Sequence, residues 1–189
     1  KRLAPLLLDF SRRYPEVMLD MDYSDRRINL IEEGLDLAIR VTRRLEAGDI
    51  ARRLGACRML TLASPDYLAR HGWPAHPSEL AHHLCLGYTN AGHTMSWQFV
   101  VDGQLVSIPV RSRLNANNGE VLTEAAALGL GITCQPDFIA EPFLAAGRVV
   151  EILTDFPGPE LGVHALLPGN RHLPHRVRAL IDHLAAGLA

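Results

Sequence analysis

The order of apolar and polar residues along the chain switches repeatedly between a helical and a strand period. Apolar side chains recur at helical spacing over residues 3–14 and 118–128. Residues 35–41 alternate as strands do, and residues 130–134 form a short apolar run between turn residues. This succession of helices and strands predicts an α/β protein.

The remaining segments extend this order and add one exception. Further helices are predicted over residues 25–33, 64–72, 78–83, 137–146 and 173–188, and further strands over residues 17–23, 50–55, 58–63, 84–89, 149–153 and 161–167. The exception is a pair of alternating runs, 97–101 and 104–110, separated by Asp102 and Gly103. Such a pair predicts an antiparallel hairpin with a primed turn.

The predicted elements form two α/β blocks that are joined twice. The connections fall near residues 58–64 and 161–167, and the last helix returns to the first block. We therefore predict a two-lobed clamp, with lobe I formed by residues 1–58 and 165–189 and lobe II by residues 59–164. Because two crossover strands join the lobes, we expect the lobes to hinge about one axis. The cleft between the two lobes is the expected small-molecule site.

The start of the helix over residues 118–128 is the most informative stretch for function. Asn117 and Asn118 can cap the helix, and Gly119 permits close approach of a backbone or a ligand. Backbone N–H groups at such a helix start bind anionic or strongly polar acceptor groups. The same residues also fit an ordinary helix cap, and their spacing leaves both interpretations open.

Composition and cysteine usage narrow the class of protein. The chain has 189 residues, 48% of them hydrophobic, which is enough for a substantial core. No apolar run approaches the roughly 18 residues that a membrane span requires, so we expect a soluble protein without a membrane partner. Cys57, Cys85 and Cys134 are widely separated in apolar surroundings, which indicates packed thiols in a reducing, cytoplasmic compartment.

Charge and motif content argue against DNA reading, catalysis and metal binding by this chain. The net charge is −2, and the arginine pairs are scattered among acidic residues. No serine-nucleophile elbow, Walker loop or dinucleotide fingerprint is present, so we expect no enzyme and no cofactor. The adjacent His82 and His83, and the pair His172 and His175, lack ligand partners in sequence, so we predict no metal site.

Seven motifs, in order, give the chain a family resemblance. They are Leu3-Ala-Pro-Leu with Phe10 and Tyr14-Pro-Glu-Val17, Gly34-Leu-Asp-Leu-Ala-Ile-Arg40, Ala51-Arg-Arg-Leu-Gly55, Ala63-Ser-Pro-Asp-Tyr-Leu-Ala-Arg-His-Gly72, Asn117-Asn-Gly-Glu120, Gly129-Leu-Gly-Ile132 and Arg171-His-Leu-Pro174. Over nearly its whole length the chain resembles the effector-binding domain of LysR-type transcriptional regulators. The resemblance implies a two-lobed fold of the type II periplasmic-binding-protein kind, a small-molecule inducer such as an organic acid or an aromatic compound, and a homodimer or homotetramer.

The resemblance also implies a set of ligand-binding residues. They are Thr42, Thr89, Asn90, Asn117, Asn118, Gly119, Gln135, Pro136 and Asp137. Asn118 and Gly119 have the helix-start argument beside the resemblance. Thr89 and Asn90 depend on position alone, and a plain surface loop is the alternative there.

Two features of the family lie outside this sequence. Regulators of this kind begin with a winged helix-turn-helix and a linker helix, and their effector domain opens with a strand before the first helix. We therefore expect this chain to be a fragment that reaches DNA only through the missing part. The alternative is a transport-type periplasmic solute-binding protein of the same fold, which a secretory leader upstream would indicate.

We predict that residues 1–189 alone bind no promoter DNA specifically, because the chain is mildly acidic and supplies no groove-reading helix. An electrophoretic mobility shift assay at physiological salt should show no sequence-specific complex. A longer protein that includes the winged helix-turn-helix should form one. A specific promoter complex with residues 1–189 would contradict the prediction.

Overall fold

The computed structural model describes residues 2–23, 29–89, 95–169 and 173–188. Within these ranges the helices are α1 (Leu3–Arg13), α2 (Pro65–His71), α3 (Gly119–Ala127), α4 (Asp137–Ala145) and α5 (His175–Leu188), with a 3-10 helix over Pro77–His82. The strands are β1 (Ala38–Thr42), β2 (Ile50–Ala63), β3 (Cys85–Tyr88), β4 (Ser96–Val101), β5 (Gln104–Pro109), β6 (Ser112–Ala116), β7 (Ile132–Pro136), β8 (Val150–Ile152) and β9 (Glu160–Leu167).

The chain divides into two compact units. Unit 1 contains Lys1–Cys57 and Leu161–Ala189, and unit 2 contains Arg58–Glu160. The chain passes from unit 1 to unit 2 in the middle of β2, and it returns at the beginning of β9. Both passages therefore run through strands.

Unit 1 is built on the antiparallel pair of β1 and β9. Val41 pairs with Val163 and Ile39 with Ala165, so these four side chains share one face of the pair. That face belongs to a hydrophobic core to which α1 contributes Leu3, Leu6 and Leu7, and α5 contributes Val177, Ile181 and Leu184. The apolar stripes predicted on the first and last helices thus pack in one core.

Residues 50–55 and 58–63, predicted as separate strands, form the single strand β2. Gly55, the last residue of the first predicted strand, has a packing role, because a Cβ there would lie 2.7 Å from the carbonyl oxygen of Leu188. The end of α5 therefore approaches the backbone of β2 more closely than any side chain at this position would permit.

Unit 2 contains a mixed sheet with β3 at its parallel centre. β3 lies between β6 and β7 and is parallel to both. β2 is antiparallel to both β7 and β8 and lies between them. Its residue Thr61 pairs with Cys134 of β7 and with Ile152 of β8. Helices α3 and α4 cover this sheet through a core that includes Leu62, Leu86, Leu122, Ala126, Ala140 and Phe143.

The predicted hairpin is confirmed by the pairing of β4 and β5. Val101 pairs with Gln104 across the turn. Asp102 and Gly103 have φ angles of 50° and 73°, the left-handed values that a primed turn of type I′ requires at both central positions. Trp97 and Phe99 of β4 are buried in a second core of unit 2.

Two predicted elements are not formed in the described residues. Residues 17–23, predicted as a strand, adopt no strand there, and Met18 is 92% exposed. Of the predicted helix over residues 25–33, residues 25–28 lie outside the described ranges, and residues 30–34 form turns. The side chain of Asn29 accepts a hydrogen bond from the N–H of Ile31 (3.1 Å), a local turn that competes with a helix.

The cysteines are packed thiols, as the sequence predicts. Cys57 and Cys85 are buried and Cys134 is partly buried. Burial raises the pKa of Cys85 and of Cys134 to about 12 in each case. Both thiols therefore stay protonated, and hence weakly nucleophilic, at neutral pH.

The side chain of Tyr67 contacts two histidine rings. The ring of Tyr67 stacks on His71 with centroids 4.5 Å apart, and its hydroxyl lies 3.2 Å from Nδ1 of His83. Burial lowers the pKa of His83; His71 and His82 lower it further, while Glu79 raises it. The folded protein therefore favours neutral His83, whose Nδ1 accepts the proton of the Tyr67 hydroxyl.

We predict that acid destabilises unit 2 through His83. The pKa of His83 in the folded protein lies below its unfolded value of 6.5. The neutral His83 ring therefore contributes fully to stability above pH 6.5, and this contribution is lost as the pH falls towards the lowered pKa. Urea unfolding between about pH 7.5 and about pH 5 should show a smaller loss of stability for His83→Gln than for the parent chain. His175→Gln, at an exposed site, is the control and should behave as the parent; equal losses in all three proteins would contradict the prediction.

Candidate ligand site at the ends of three parallel strands

The carboxyl ends of β6, β3 and β7 lie at one edge of the sheet in unit 2. The three strands are parallel, and Tyr88 at the end of β3 pairs with Ala116 at the end of β6. Thr89, Asn117 and Asp137 directly follow these three strands. The carboxyl edge of parallel strands is where α/β proteins usually bind ligands.

The predicted helix cap at this edge is confirmed. Asn118 has an extended backbone, and its Oδ1 accepts a hydrogen bond from the N–H of Val121 (3.1 Å). Asn117, the residue before the cap, is also hydrogen-bonded, because the hydroxyl of Tyr88 donates to its carbonyl oxygen (3.0 Å). The start of α3 is therefore stabilised by two side chains, Asn118 at the helix cap and Tyr88 of the neighbouring strand β3.

Gly119 lets α3 begin in direct contact with β7 and α4. It is buried, and a Cβ there would lie 2.5 Å from Oε1 of Gln135 and 2.7 Å from Cδ1 of Ile139. The close approach predicted at Gly119 is thus made by protein side chains. The N–H of Gly119 has no hydrogen-bond partner among the described residues, and it lies at the positive end of the α3 dipole.

Two buried polar side chains lie beneath the start of α3. Gln135 is 2% exposed and Thr133 is fully buried, and Nε2 of Gln135 donates to Oγ1 of Thr133 (2.9 Å). Burying an amide is costly unless it is hydrogen-bonded, so this pair is held in one orientation. Oε1 of Gln135 is thereby directed at Gly119.

Asp137 provides a carboxylate at the first position of α4. Its Oδ2 accepts a hydrogen bond from the N–H of Arg58 (3.1 Å), at the point where β2 enters unit 2. Its Oδ1 is buried and has no hydrogen-bond partner in the described part of the chain. A buried carboxylate oxygen without a donor is unfavourable, so Oδ1 is a suitable acceptor for a ligand N–H or O–H group.

Two of the predicted residues are not shown at this edge, since Thr42 lies in unit 1 and Asn90 is outside the described ranges. Thr42 belongs to unit 1, where its hydroxyl donates to the carbonyl oxygen of Arg44 (2.8 Å) and accepts from the N–H of Arg44 (3.3 Å). Its proton is thus used in a turn, and its role in binding stays a prediction. Asn90 lies outside the described residues, and Thr89 is exposed after β3.

Sequence reasoning missed several residues that shape this edge. Thr133 carries one signal that could have found it, since it alternates with Gln135 as a polar residue within an apolar strand. Tyr88 and Arg58 carry none, because their contacts with Asn117 and Asp137 span 29 and 79 residues.

The described ranges contain neither of two features that would point to other functions. No helix there is long and apolar enough to cross a membrane. No group of three or more His, Cys, Asp or Glu side chains in the same ranges could hold a metal ion.

Comparison with known families identifies the domain. The family model of the LysR substrate binding domain matches residues 1–189. The chain therefore belongs to the LysR substrate-binding domain family, and its fold is the α/β, periplasmic-binding-protein-like fold of that family.

Curated relatives are transcriptional regulators. An HTH-type transcriptional regulator of Xanthomonas campestris pv. campestris is 35% identical to this chain, with 98% of the chain and 55% of the relative covered. The HTH-type transcriptional regulator CrgA of Neisseria meningitidis is 34% identical, with 98% and 62% covered. The chain thus spans a little over half the length of these relatives, and the effector domain of a regulator is favoured over a transport protein.

Solved structures show the same fold. The regulatory domain of CrgA from Neisseria meningitidis matches with a TM-score of 0.85 and 34% identity, covering 99% of this chain and 92% of that chain. Full-length AphB of Vibrio cholerae, a virulence activator, matches with a TM-score of 0.84 and 29% identity, covering 98% and 63%. Within AphB, the chain corresponds to part of a longer regulator.

We predict that Asn118→Ala destabilises the protein by about 1 kcal/mol, because the N–H of Val121 loses its acceptor at the start of α3. Asn118→Asp keeps the acceptor and is the matched control, with little loss. Chemical unfolding monitored by circular dichroism measures both variants. Equal stability of the alanine and aspartate variants would show that the cap contributes nothing measurable.

Proposed function

We propose that this domain binds a small polar effector at the carboxyl edge of β6, β3 and β7. The observation that supports the proposal is the juxtaposition of an unused donor and an unused acceptor at one edge. The donor is the N–H of Gly119 at the start of α3, and the acceptor is Oδ1 of Asp137 at the start of α4. The contacts of Gln135 and Ile139 with Gly119 bring the two helix starts together.

The charges at this edge define the kind of effector. The N-terminal ends of α3 and α4 favour an acceptor such as a carboxylate or a carbonyl oxygen. Asp137 and Glu120, both in first turns, oppose a purely anionic molecule. We therefore propose an effector that carries an acceptor group and a donor group close together, as hydroxy acids and amino acids do.

The proposal extends to the whole protein. We propose that it is a homo-oligomeric, cytoplasmic transcriptional regulator without enzymatic activity, and that a winged helix-turn-helix outside this sequence binds DNA. The names of the relatives as HTH-type transcriptional regulators support this assignment. Units 1 and 2 are, in this proposal, the two lobes of the effector domain.

We predict that matched pairs of small acids reveal the donor requirement. Lactate and alanine should stabilise the 189-residue chain in thermal-shift assays more than propionate does, and salicylate more than benzoate. The reason is that lactate, alanine and salicylate carry a hydroxyl or amino group that can donate a hydrogen bond to Asp137, whereas propionate and benzoate carry none. If no hydroxy or amino acid in a broader panel has any effect, the proposed function is wrong.

Asp137→Asn tests the acceptor directly with the best compound of that panel. The N–H of Arg58 requires an oxygen, so the new amide nitrogen would take the place of Oδ1 and oppose the ligand donor. Affinity measured by calorimetry should fall by about tenfold, or about 1.4 kcal/mol. Asp155→Asn removes the same charge at an exposed position of unit 2 and should leave affinity unchanged; equal affinity of both variants would place the donor contact elsewhere.

A further inference from the structure

A small pocket lies in unit 2 where β8 ends beside β2. Its volume is about 30 Å³, and it is lined by residues 58–61 of β2, by residues 151–153, and by residues 156–158 of the turn that follows β8. β8 pairs with β2 only as far as Ile152, which lies opposite Thr61. Beyond this pair the chain turns away from β2, and the pocket occupies the resulting gap.

The turn after β8 is held in place by contacts at both of its ends. The N–H of Phe156 donates to the carbonyl oxygen of Leu153 (2.9 Å), and the N–H of Val100 donates to the carbonyl oxygen of Pro157 (2.9 Å). Leu153 has a φ angle of 56°, which is uncommon for a residue with a large side chain. The edge of the His76 ring packs against Phe156, with centroids 4.9 Å apart. The outer wall of the pocket is therefore preformed.

The inner part of the pocket is apolar and small. Leu60, Ile152 and Leu153 are buried, and Phe156 packs against the same core as Ile152 and Leu153. One water-sized group needs about 10–15 Å³, so a pocket of about 30 Å³ admits about two or three such groups. A short aliphatic side chain has this size, whereas an aromatic ring is too large.

Two side chains of opposite charge line the same pocket. Arg58 is exposed and Glu151 is partly exposed. Neither side chain makes an ion pair or a hydrogen bond with another residue in the part of the chain that the structure describes. A ligand that carries a positive and a negative group can satisfy both charges at once.

We propose that this pocket binds a small zwitterion, an α-amino acid with a short apolar side chain. The guanidinium of Arg58 would bind its carboxylate and Glu151 its ammonium group, while the side chain enters between Ile152 and Phe156. The proposal goes beyond the effector site at the carboxyl edge of the sheet and does not depend on it. Only Arg58 also contacts that edge, and it does so through its backbone N–H.

Titration of the 189-residue chain with L-valine, monitored by amide chemical shifts at constant ionic strength, tests the pocket. L-valine at concentrations up to the order of 10 mM, in the range of weak affinity, should shift the amides of residues 59–61 and 151–156. Isovalerate lacks the ammonium group and isobutylamine lacks the carboxylate, so each should bind roughly tenfold more weakly. Glycine should also bind about tenfold more weakly, because it leaves the apolar wall uncovered.

Two charge variants assign the ends of the ligand. Arg58→Gln and Glu151→Gln should each lower the affinity for L-valine about tenfold. Arg58→Gln should leave the affinity for isobutylamine unchanged, and Glu151→Gln should leave that for isovalerate unchanged, because the group removed has no partner on those ligands. Arg111→Gln and Glu141→Gln change the same residue types at exposed positions of unit 2 and should have no effect.

The same titration separates this pocket from the proposed effector site. Amides of residues 119–121 report on the effector site, and those of residues 151–156 report on the pocket. In Asp137→Asn, a response of the pocket amides to L-valine should persist. Loss of the response at residues 119–121 alone would count only against the effector site.

Three results would overturn the proposal. The first is that the amides of residues 59–61 and 151–156 do not respond to L-valine, which would indicate a gap filled only by water. The second is an equal response to L-valine, isovalerate and isobutylamine. The third is an undiminished response in Arg58→Gln and Glu151→Gln, each shown to be folded by its dispersed amide spectrum.

Discussion

The parallel pairing of β3 with β6 and β7 is the constraint on which the arrangement of unit 2 depends. Parallel strands require crossover connections, and α3 provides the one from β6 to β7. The carboxyl ends of all three strands must then meet at one edge, where α3 and α4 begin. Residues separated by about fifty positions in sequence, such as Thr89 and Asp137, are brought to that edge by the backbone hydrogen bonds of the sheet.

Close approaches at glycine then bring polar groups into defined positions. Gly119 admits Gln135 against the start of α3, and Gly162 admits the ring of His164 against β9. Most buried polar groups of the described chain are satisfied, as Gln135 is by Thr133. The exceptions among its buried side-chain atoms are Oδ1 of Asp137 and Nδ1 of His164, one in each unit. Such exceptions are costly in an otherwise satisfied interior, which is why they direct attention to ligand chemistry.

Local patterns predicted those elements whose stability depends on their own residues or on a neighbour in sequence. The hairpin around Asp102 and Gly103 is an example, because a primed turn needs left-handed angles at adjacent positions. The cap at Asn118 is another, since its partner Val121 is three residues away. The alternation over residues 17–23 was misleading, because alternation without a hydrogen-bonded neighbour does not make a strand.

The sequence by itself determined the α/β class, the family and the start of α3, because these depend on periodicity, capping and motif order. Only the tertiary structure decided that Gly119 accommodates Gln135 and Ile139, and that the proton of Thr42 is used by Arg44. It also decided that β2 continues through Gly55 under the end of α5. The physical reason is that a polar group's availability depends on which distant atoms pack against it, and such contacts leave no local periodic signal.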